Sequence, residues 1–110
     1  MASDTILIKE LKRKTIPIFK EYPVDKVILF GSYAKGDAAK SSDIDLFIDT
    51  NGKLRGLDFV GLIERLADAL GVEIDLIDKM HIEPGSLIIQ EIENKGVVLY
   101  EKSKNIIKNN

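Results

Sequence analysis

The sequence predicts an α/β domain in which a mixed, mostly buried β-sheet of about four strands is flanked by helices. Two observations predict this class. Short apolar segments with strand-like alternation are interleaved with longer segments whose apolar residues recur at helical spacing. Most of these segments end at a glycine, a proline or a turn pair. Because 110 residues fit one domain, we expect residues 1–110 to form a single unit, with residues 101–110 as a polar tail.

The first predicted helix covers residues 3–22, where a capping residue precedes apolar residues at roughly helical spacing. Pro17 interrupts this pattern, since proline lacks the amide hydrogen that a helix interior uses. We expect Pro17 to open a second helical piece or to kink the helix, and Pro23 to end it. The apolar run at residues 25–30 predicts the first buried strand.

The second predicted strand covers residues 43–49, where acidic and apolar residues alternate. A turn signal at residues 50–52 separates it from an amphipathic helix predicted over residues 57–70. Gly71 follows as a residue suited to end that helix. The apolar side of the helix is expected to carry Leu57, Val60, Ile63, Leu66 and Leu70.

The third predicted strand covers residues 72–78, which again alternate between acidic and apolar side chains. Ser86 is expected to cap a helix over residues 87–95, and Gly96 is expected to stop it. Residues 97–100 then form a fourth short apolar strand, which completes the predicted sheet.

Composition and charge exclude several classes of function. The 16 basic and 18 acidic residues leave a net charge of −2, which argues against nucleic acid as a direct ligand. The lack of cysteine excludes disulfides, thiolate metal sites and cysteine nucleophiles, and the single histidine excludes a multi-histidine metal site. The charged first 20 residues contain no signal-peptide core, and no apolar run approaches the ~20 residues of a membrane span. We therefore expect a cytoplasmic protein that binds no membrane.

The acidic residues on the second and third predicted strands suggest a site for a divalent cation. Asp43 and Asp45 project from the same strand face, because side chains alternate along a strand. Like charges at this spacing repel, and a hard cation such as Mg²⁺ relieves the repulsion. Asp75 can join them if its strand pairs beside the second strand. Three converging carboxylates suit two metal ions and an in-line phosphoryl or nucleotidyl transfer, although each aspartate alone also fits a solvated strand face.

The turn after the first strand offers a complementary site for phosphate. Gly31 lets the backbone approach a ligand closely, and Ser32 with the next amides can donate hydrogen bonds to phosphate oxygens. Lys35 adds a positive charge to the same region. A Gly-Ser pair after a strand is by itself most often a plain turn, so the signal lies in its combination with the aspartates.

Together these residues resemble the signature of minimal nucleotidyltransferases of the DNA-polymerase-beta-like superfamily. The resemblance rests on residues 29–36 (LFGSYAKG), 42–46 (SDIDL) and 72–78 (VEIDLID), and it extends over roughly residues 5–100. It implies a nucleotidyltransferase fold for the predicted α/β domain. Lys35 stands where many relatives have arginine, so a point charge replaces a bidentate fork there.

The resemblance also implies roles for individual residues. Asp43 and Asp45 would bind Mg²⁺, one ion or two, and through it the triphosphate of ATP, which Gly31 and Ser32 would contact as well. Asp75 would complete the metal site and help to activate the attacking hydroxyl group. Its rivals for that role are Glu73, on the same strand face, and Asp78, on the opposite face nearer the strand end.

Minimal nucleotidyltransferases lack an acceptor-binding domain and are usually paired with a HEPN-domain ribonuclease toxin. The resemblance therefore implies an antitoxin that transfers AMP from ATP to a tyrosine of that HEPN partner. Two alternatives stay open at this point. One is an antitoxin that neutralises its partner by binding alone. The other is a small-molecule adenylyltransferase, aminoglycoside-like in substrate, which would need a homo-oligomer to build an acceptor site across its interface.

Overall fold

The computed structural model describes residues 8–31 and 43–102. Within these ranges three helices and a four-stranded mixed sheet confirm the predicted fold class. In chain order the elements are α1 (Ile8–Phe19), β1 (Lys26–Phe30), β2 (Ile44–Asp49), α2 (Leu57–Leu70), β3 (Ile74–Asp78), a short 3₁₀ turn (Lys79–His81), α3 (Leu87–Lys95) and β4 (Val97–Glu101). In the described ranges, no helix combines the length and the apolar character needed to cross a membrane.

The sheet is open and runs in the order β3-β2-β1-β4. Strand β1 pairs antiparallel with both β2 and β4, whereas β2 and β3 are parallel. Parallel neighbours need a long crossover, and α2 provides it between β2 and β3. This crossover brings the two predicted acidic strands side by side.

One face of the sheet packs against α1 and α2 and forms the main core. Residues of β2 that point to this face are fully buried, as are the facing residues of both helices. Each large apolar side chain contributes about 1.5–3 kcal/mol on burial, so this face accounts for most of the fold's apolar stabilisation. The buried set includes Leu11, Phe19, Val27, Leu29, Ile44, Leu46, Ile48, Leu62 and Leu66.

The opposite face of the sheet is only partly covered. Helix α3 lies on it, and Ile92 packs there with Phe30 and Phe47 in a second, smaller buried cluster. Asp45 belongs to this face, because it alternates with Ile44 and Leu46 of the main core. Because this face is only partly covered, Asp45 is half-buried and not enclosed in a core.

The predicted boundaries of α2 and α3 are confirmed. Gly71 ends α2 in the left-handed conformation, with φ of 74° and its amide bonded to the Ala67 carbonyl. The Ser86 hydroxyl accepts the amide of Ile89 at the start of α3, which ends at Gly96.

The predicted apolar face of α2 is partly wrong. Leu57 is 88% exposed and Val60 is 47% exposed, whereas Leu62 is fully buried and packs with Leu66 and Leu70. The helix therefore turns its Leu62 side toward the sheet. Periodicity alone did not reveal this, because the rotation of the helix is set by its contacts with the rest of the core.

The expectation that Pro17 opens a second helical piece is wrong, whereas the alternative, a kink at Pro17, stays a prediction. Helix α1 continues through Pro17 to Phe19, and the Lys20 amide still bonds to the Ile16 carbonyl at 3.1 Å. Buried Ile18 and Phe19 hold this last turn against the core, so the missing proline amide is tolerated. The predicted helix start at residues 3–7 and the polar tail beyond residue 102 lie outside the described residues.

Candidate active site

The candidate site lies on the partly covered face of the sheet, where β2 and β3 begin. Asp45 and Asp75 are register partners in this parallel pair, so their side chains leave the same face as direct neighbours. Asp43 immediately precedes β2 and is exposed, while Asp45 is half-buried. The fold thus brings together two carboxyl groups that lie 30 positions apart in the chain.

The pKa of Asp45 is raised by its burial and by the negative charges around it. Burial and the neighbouring Asp75 carboxylate raise the pKa of Asp45 to about 6. Smaller contributions to the same rise in pKa come from a hydrogen bond to Asp75 and from the charges of Asp43 and Glu91. Without a counter-ion, Asp45 therefore keeps its proton to a higher pH than an ordinary aspartate does.

Gly31 forms the second wall of the site, at the end of β1. Its φ of 77° lies in the left-handed region, and a Cβ atom at this position would collide with the Oδ2 atom of Asp45. Glycine is therefore needed for the backbone to pass so close to the carboxylate. The other predicted phosphate-binding residues, Ser32 and Lys35, lie outside the described residues.

The two rivals of Asp75 occupy different environments. Asp78 is 5% exposed and points to the opposite, core-facing side of the sheet, where its carboxylate accepts the Met80 amide at 2.9 Å. It stabilises the turn after β3. Glu73 is exposed and precedes β3, and its backbone carbonyl accepts the Ile44 amide. Of the three acids, only Asp75 is the register partner of Asp45.

Glu91 on α3 is a residue that the sequence did not single out. Its charge acts on Asp45 and raises the pKa of that carboxyl group. The residue follows the apolar stretch that starts α3. No spacing rule places that helix over β2, so only the packing of α3 on the sheet could reveal the proximity.

The donor set suits a hard divalent cation. Across residues 8–31 and 43–102, no three His, Cys, Asp or Glu side chains stand together in a metal-ligating group. Asp45 and Asp75 instead form a pair of neighbouring carboxyl groups joined by a hydrogen bond. Mg²⁺ is commonly held by one or two carboxylates together with waters and substrate phosphates, so this pair meets its needs. A bound cation would relieve the repulsion between the two carboxylates.

Asp45→Asn is expected to stabilise the metal-free protein by about 1 kcal/mol at about pH 7.5. The substitution removes an ionised carboxylate that burial and Asp75 disfavour, and solvent screening of the half-buried group keeps the gain small. Because the folded-state pKa is raised, wild-type stability falls as the pH rises from about 4 to about 6. Urea unfolding in EDTA at about pH 7.5 and at about pH 4 measures the gain, which should vanish at the lower pH.

The matched control for this substitution is Asp68→Asn, an exposed position on α2. It removes the same charge away from the site and should leave the free energy of unfolding unchanged at both pH values. A loss of stability in Asp45→Asn at neutral pH would contradict the crowding of charge described above.

A family model described as "Polymerase beta, Nucleotidyltransferase" matches residues 13–105. A protein of Methanocaldococcus jannaschii, provisionally named a protein adenylyltransferase, is 37% identical over 90 residues. That match covers 82% of this chain and 95% of the relative. Protein adenylyltransferase MntA of Thermococcus cleftensis is 33% identical over 66 residues, which is 60% of this chain and 67% of the relative.

Solved structures with the same fold include toxin–antitoxin complexes. A chain of a crystal structure of a toxin–antitoxin with AMP-PNP superposes with a TM-score of 0.71 and 25% identity, over 86% of this chain and 76% of that chain. A chain of the tri-AMPylated Shewanella oneidensis HEPN toxin in complex with MNT antitoxin gives a TM-score of 0.66 at 23% identity. That match covers 86% of this chain and 73% of the other. The second likeness concerns the fold alone.

Proposed function

The chain belongs to the polymerase beta nucleotidyltransferase family, and on this premise we propose that it transfers AMP from ATP to a tyrosine hydroxyl of a HEPN-domain toxin and so acts as the antitoxin. The observation that carries the proposal is the pairing of Asp45 with Asp75 on the uncovered part of the sheet, with Gly31 against Asp45. The relatives named protein adenylyltransferase and the toxin–antitoxin neighbour support the choice of reaction and partner.

The proposed reaction is an in-line displacement at the α-phosphorus of ATP. The acceptor oxygen forms a bond to this phosphorus, and the bond from the phosphorus to the bridging oxygen of the β-phosphate breaks. AMP stays on the acceptor and pyrophosphate leaves. The hydroxyl proton passes to a carboxylate, for which Asp75 is the proposed acceptor because it lies at the edge of the site and is exposed.

The carboxylates and the glycine turn have different roles in the proposed reaction. Asp43, Asp45 and Asp75 would hold Mg²⁺, which neutralises charge on the phosphates and orients them when it is bound. Gly31 lets the backbone come close to the triphosphate, and Ser32 and Lys35 are proposed to contact its outer phosphates. The pKa of Asp45, raised to about 6, implies that proton loss accompanies metal binding in mildly acidic solution.

The test is a labelling experiment with the HEPN-domain toxin as acceptor. The purified chain, Mg²⁺ and the toxin are incubated with ATP labelled at the α-phosphate or, in parallel, at the γ-phosphate. We expect the α-label on a toxin tyrosine, the γ-label in released pyrophosphate, and no transfer in EDTA. Neutralisation of the toxin should follow the extent of labelling.

Two results would overturn the proposal. Transfer of the γ-label would mean phosphorylation, which breaks a different bond of ATP. Full neutralisation of the toxin without any label would mean an antitoxin that acts by contact alone.

A further inference from the structure

A cavity of about 730 Å³ lies on the same sheet face as the candidate active site. Its floor consists of Ile28 and Phe47 on the sheet, and Ile89 and Ile92 of α3 form one wall with Ile82. Its volume and apolar lining are typical of ligand pockets. The proposed reaction assigns no role to this cavity.

The cavity begins one row of side chains from the carboxylates. Phe47 follows Asp45 by two residues on the same strand and the same face, and Ile28 is the register partner of Phe47. Two residues along a strand correspond to ~7 Å. The cavity therefore begins about one such step from the Asp45 side chain, on the same face of the sheet.

The geometry of an in-line displacement indicates from which side of the phosphorus the acceptor enters. Gly31 lies beyond Phe30 at the end of β1, whereas the cavity lies toward Lys26 at the start of the same strand. Asp45 stands between them, since Phe30 is its partner across β1 and β2. The attacking and leaving oxygens occupy opposite sides of the phosphorus. If pyrophosphate leaves on the Gly31 side, the acceptor hydroxyl enters from the side of the cavity.

The lining identifies the chemistry of the acceptor. Lys79 at the rim pairs with Asp49 at 3.4 Å, and Lys26 pairs with Glu101 at 3.8 Å. Because these cations already face carboxylates, the cavity offers no net positive charge for a polyanion such as RNA. An apolar floor equally disfavours a polycationic sugar. An apolar or aromatic protein side chain fits this lining best.

We propose that this cavity docks the protein acceptor, by taking an apolar or aromatic side chain that lies about 7 Å from the hydroxyl that receives AMP. In an extended segment this corresponds to the second residue before or after the acceptor, since side chains repeat on one face every two residues. The inference rests on the proposed function and specifies the place at which the protein acceptor binds.

The test separates acceptor binding from ATP binding by steady-state transfer to the HEPN-domain toxin. Ile89→Trp fills the cavity, and Met80→Glu adds a charge at a lining position that is 62% exposed and therefore tolerant of substitution. Both are expected to raise KM for the toxin about tenfold and to leave KM for ATP within about twofold. Leu57→Glu, on α2 against the other sheet face, is the matched control and should behave as wild type.

The outcomes distinguish failure of the docking inference from failure of the proposed function. If wild type labels the toxin and both cavity variants keep wild-type KM values, the docking inference is wrong and the proposed function stands. A rise in KM for ATP alone would assign the cavity to the nucleoside and overturn the inference. If wild type labels no acceptor, the proposed function fails and the inference fails with it. Thermal unfolding of Ile89→Trp checks that a raised KM does not reflect a loss of fold.

Discussion

Replacing Asp43 and Asp45 together by asparagine is expected to lower kcat/KM for AMP transfer by at least about 1000-fold, because asparagine cannot supply the negative charge that holds Mg²⁺. The fold should survive, since Asp43 is exposed and Asp45 points away from the main core. The measurement is α-label transfer to the HEPN-domain toxin, with circular dichroism as the check on folding. Mg²⁺ should also stop protecting the variant against thermal unfolding.

The matched control removes two carboxylates elsewhere. Glu64→Gln with Asp68→Asn changes net charge by the same amount on the exposed side of α2 and should transfer at the wild-type rate. Normal transfer by the Asp43/Asp45 variant would refute the assignment of the metal site. Loss of transfer with undiminished neutralisation of the toxin would mean that binding alone accounts for the antitoxin effect.

Asp75→Asn is expected to lower kcat by about 100- to 10,000-fold, because the site loses both a proposed metal ligand and the proposed proton acceptor. The KM for ATP should change much less, since Asp43 and Asp45 would still hold the triphosphate in the proposed site. Single-turnover transfer with saturating ATP measures the chemical step without interference from product release.

Two neighbouring acidic residues on the same segment serve as controls for Asp75. Glu73→Gln removes an exposed carboxylate that does not pair with Asp45 across the sheet. The transfer rate of this variant is expected to stay within about threefold of wild type. Asp78→Ala removes the carboxylate that accepts the Met80 amide and should cost about 1 kcal/mol of stability with little change in rate. A larger loss of rate in Glu73→Gln than in Asp75→Asn would move the third carboxylate to position 73.

The proposed chemistry depends on how the chain connects its strands. Strand β3 lies beside β2 because α2 crosses between them, and the parallel register then sets Asp75 against Asp45. A shift of one residue in this register would turn Asp75 toward the core and separate the two carboxylates. Burial of Leu76 on the core face favours the observed register, so packing of the core and assembly of the site are the same event.

Much of the local structure was predictable because it depends on neighbouring residues. The helix over residues 57–70 with Gly71 behind it, and the helix between Ser86 and Gly96, follow from capping chemistry that acts within a few residues. The placement of Asp45 opposite the buried residues of β2 follows from alternation along one strand. These features need no knowledge of the rest of the molecule.

The sequence by itself therefore determined the class of fold, most element boundaries and the carboxylate pattern that resembles a nucleotidyltransferase. Only the tertiary structure decided which residues meet. It joined Asp45 to Asp75, turned Leu57 and Val60 of α2 to solvent, and placed Glu91 of α3 near the acids. It also formed the cavity between the sheet and α3. The physical reason is that capping and alternation act over a few residues, whereas strand order, helix rotation and the field at a carboxylate depend on contacts between distant parts of the chain.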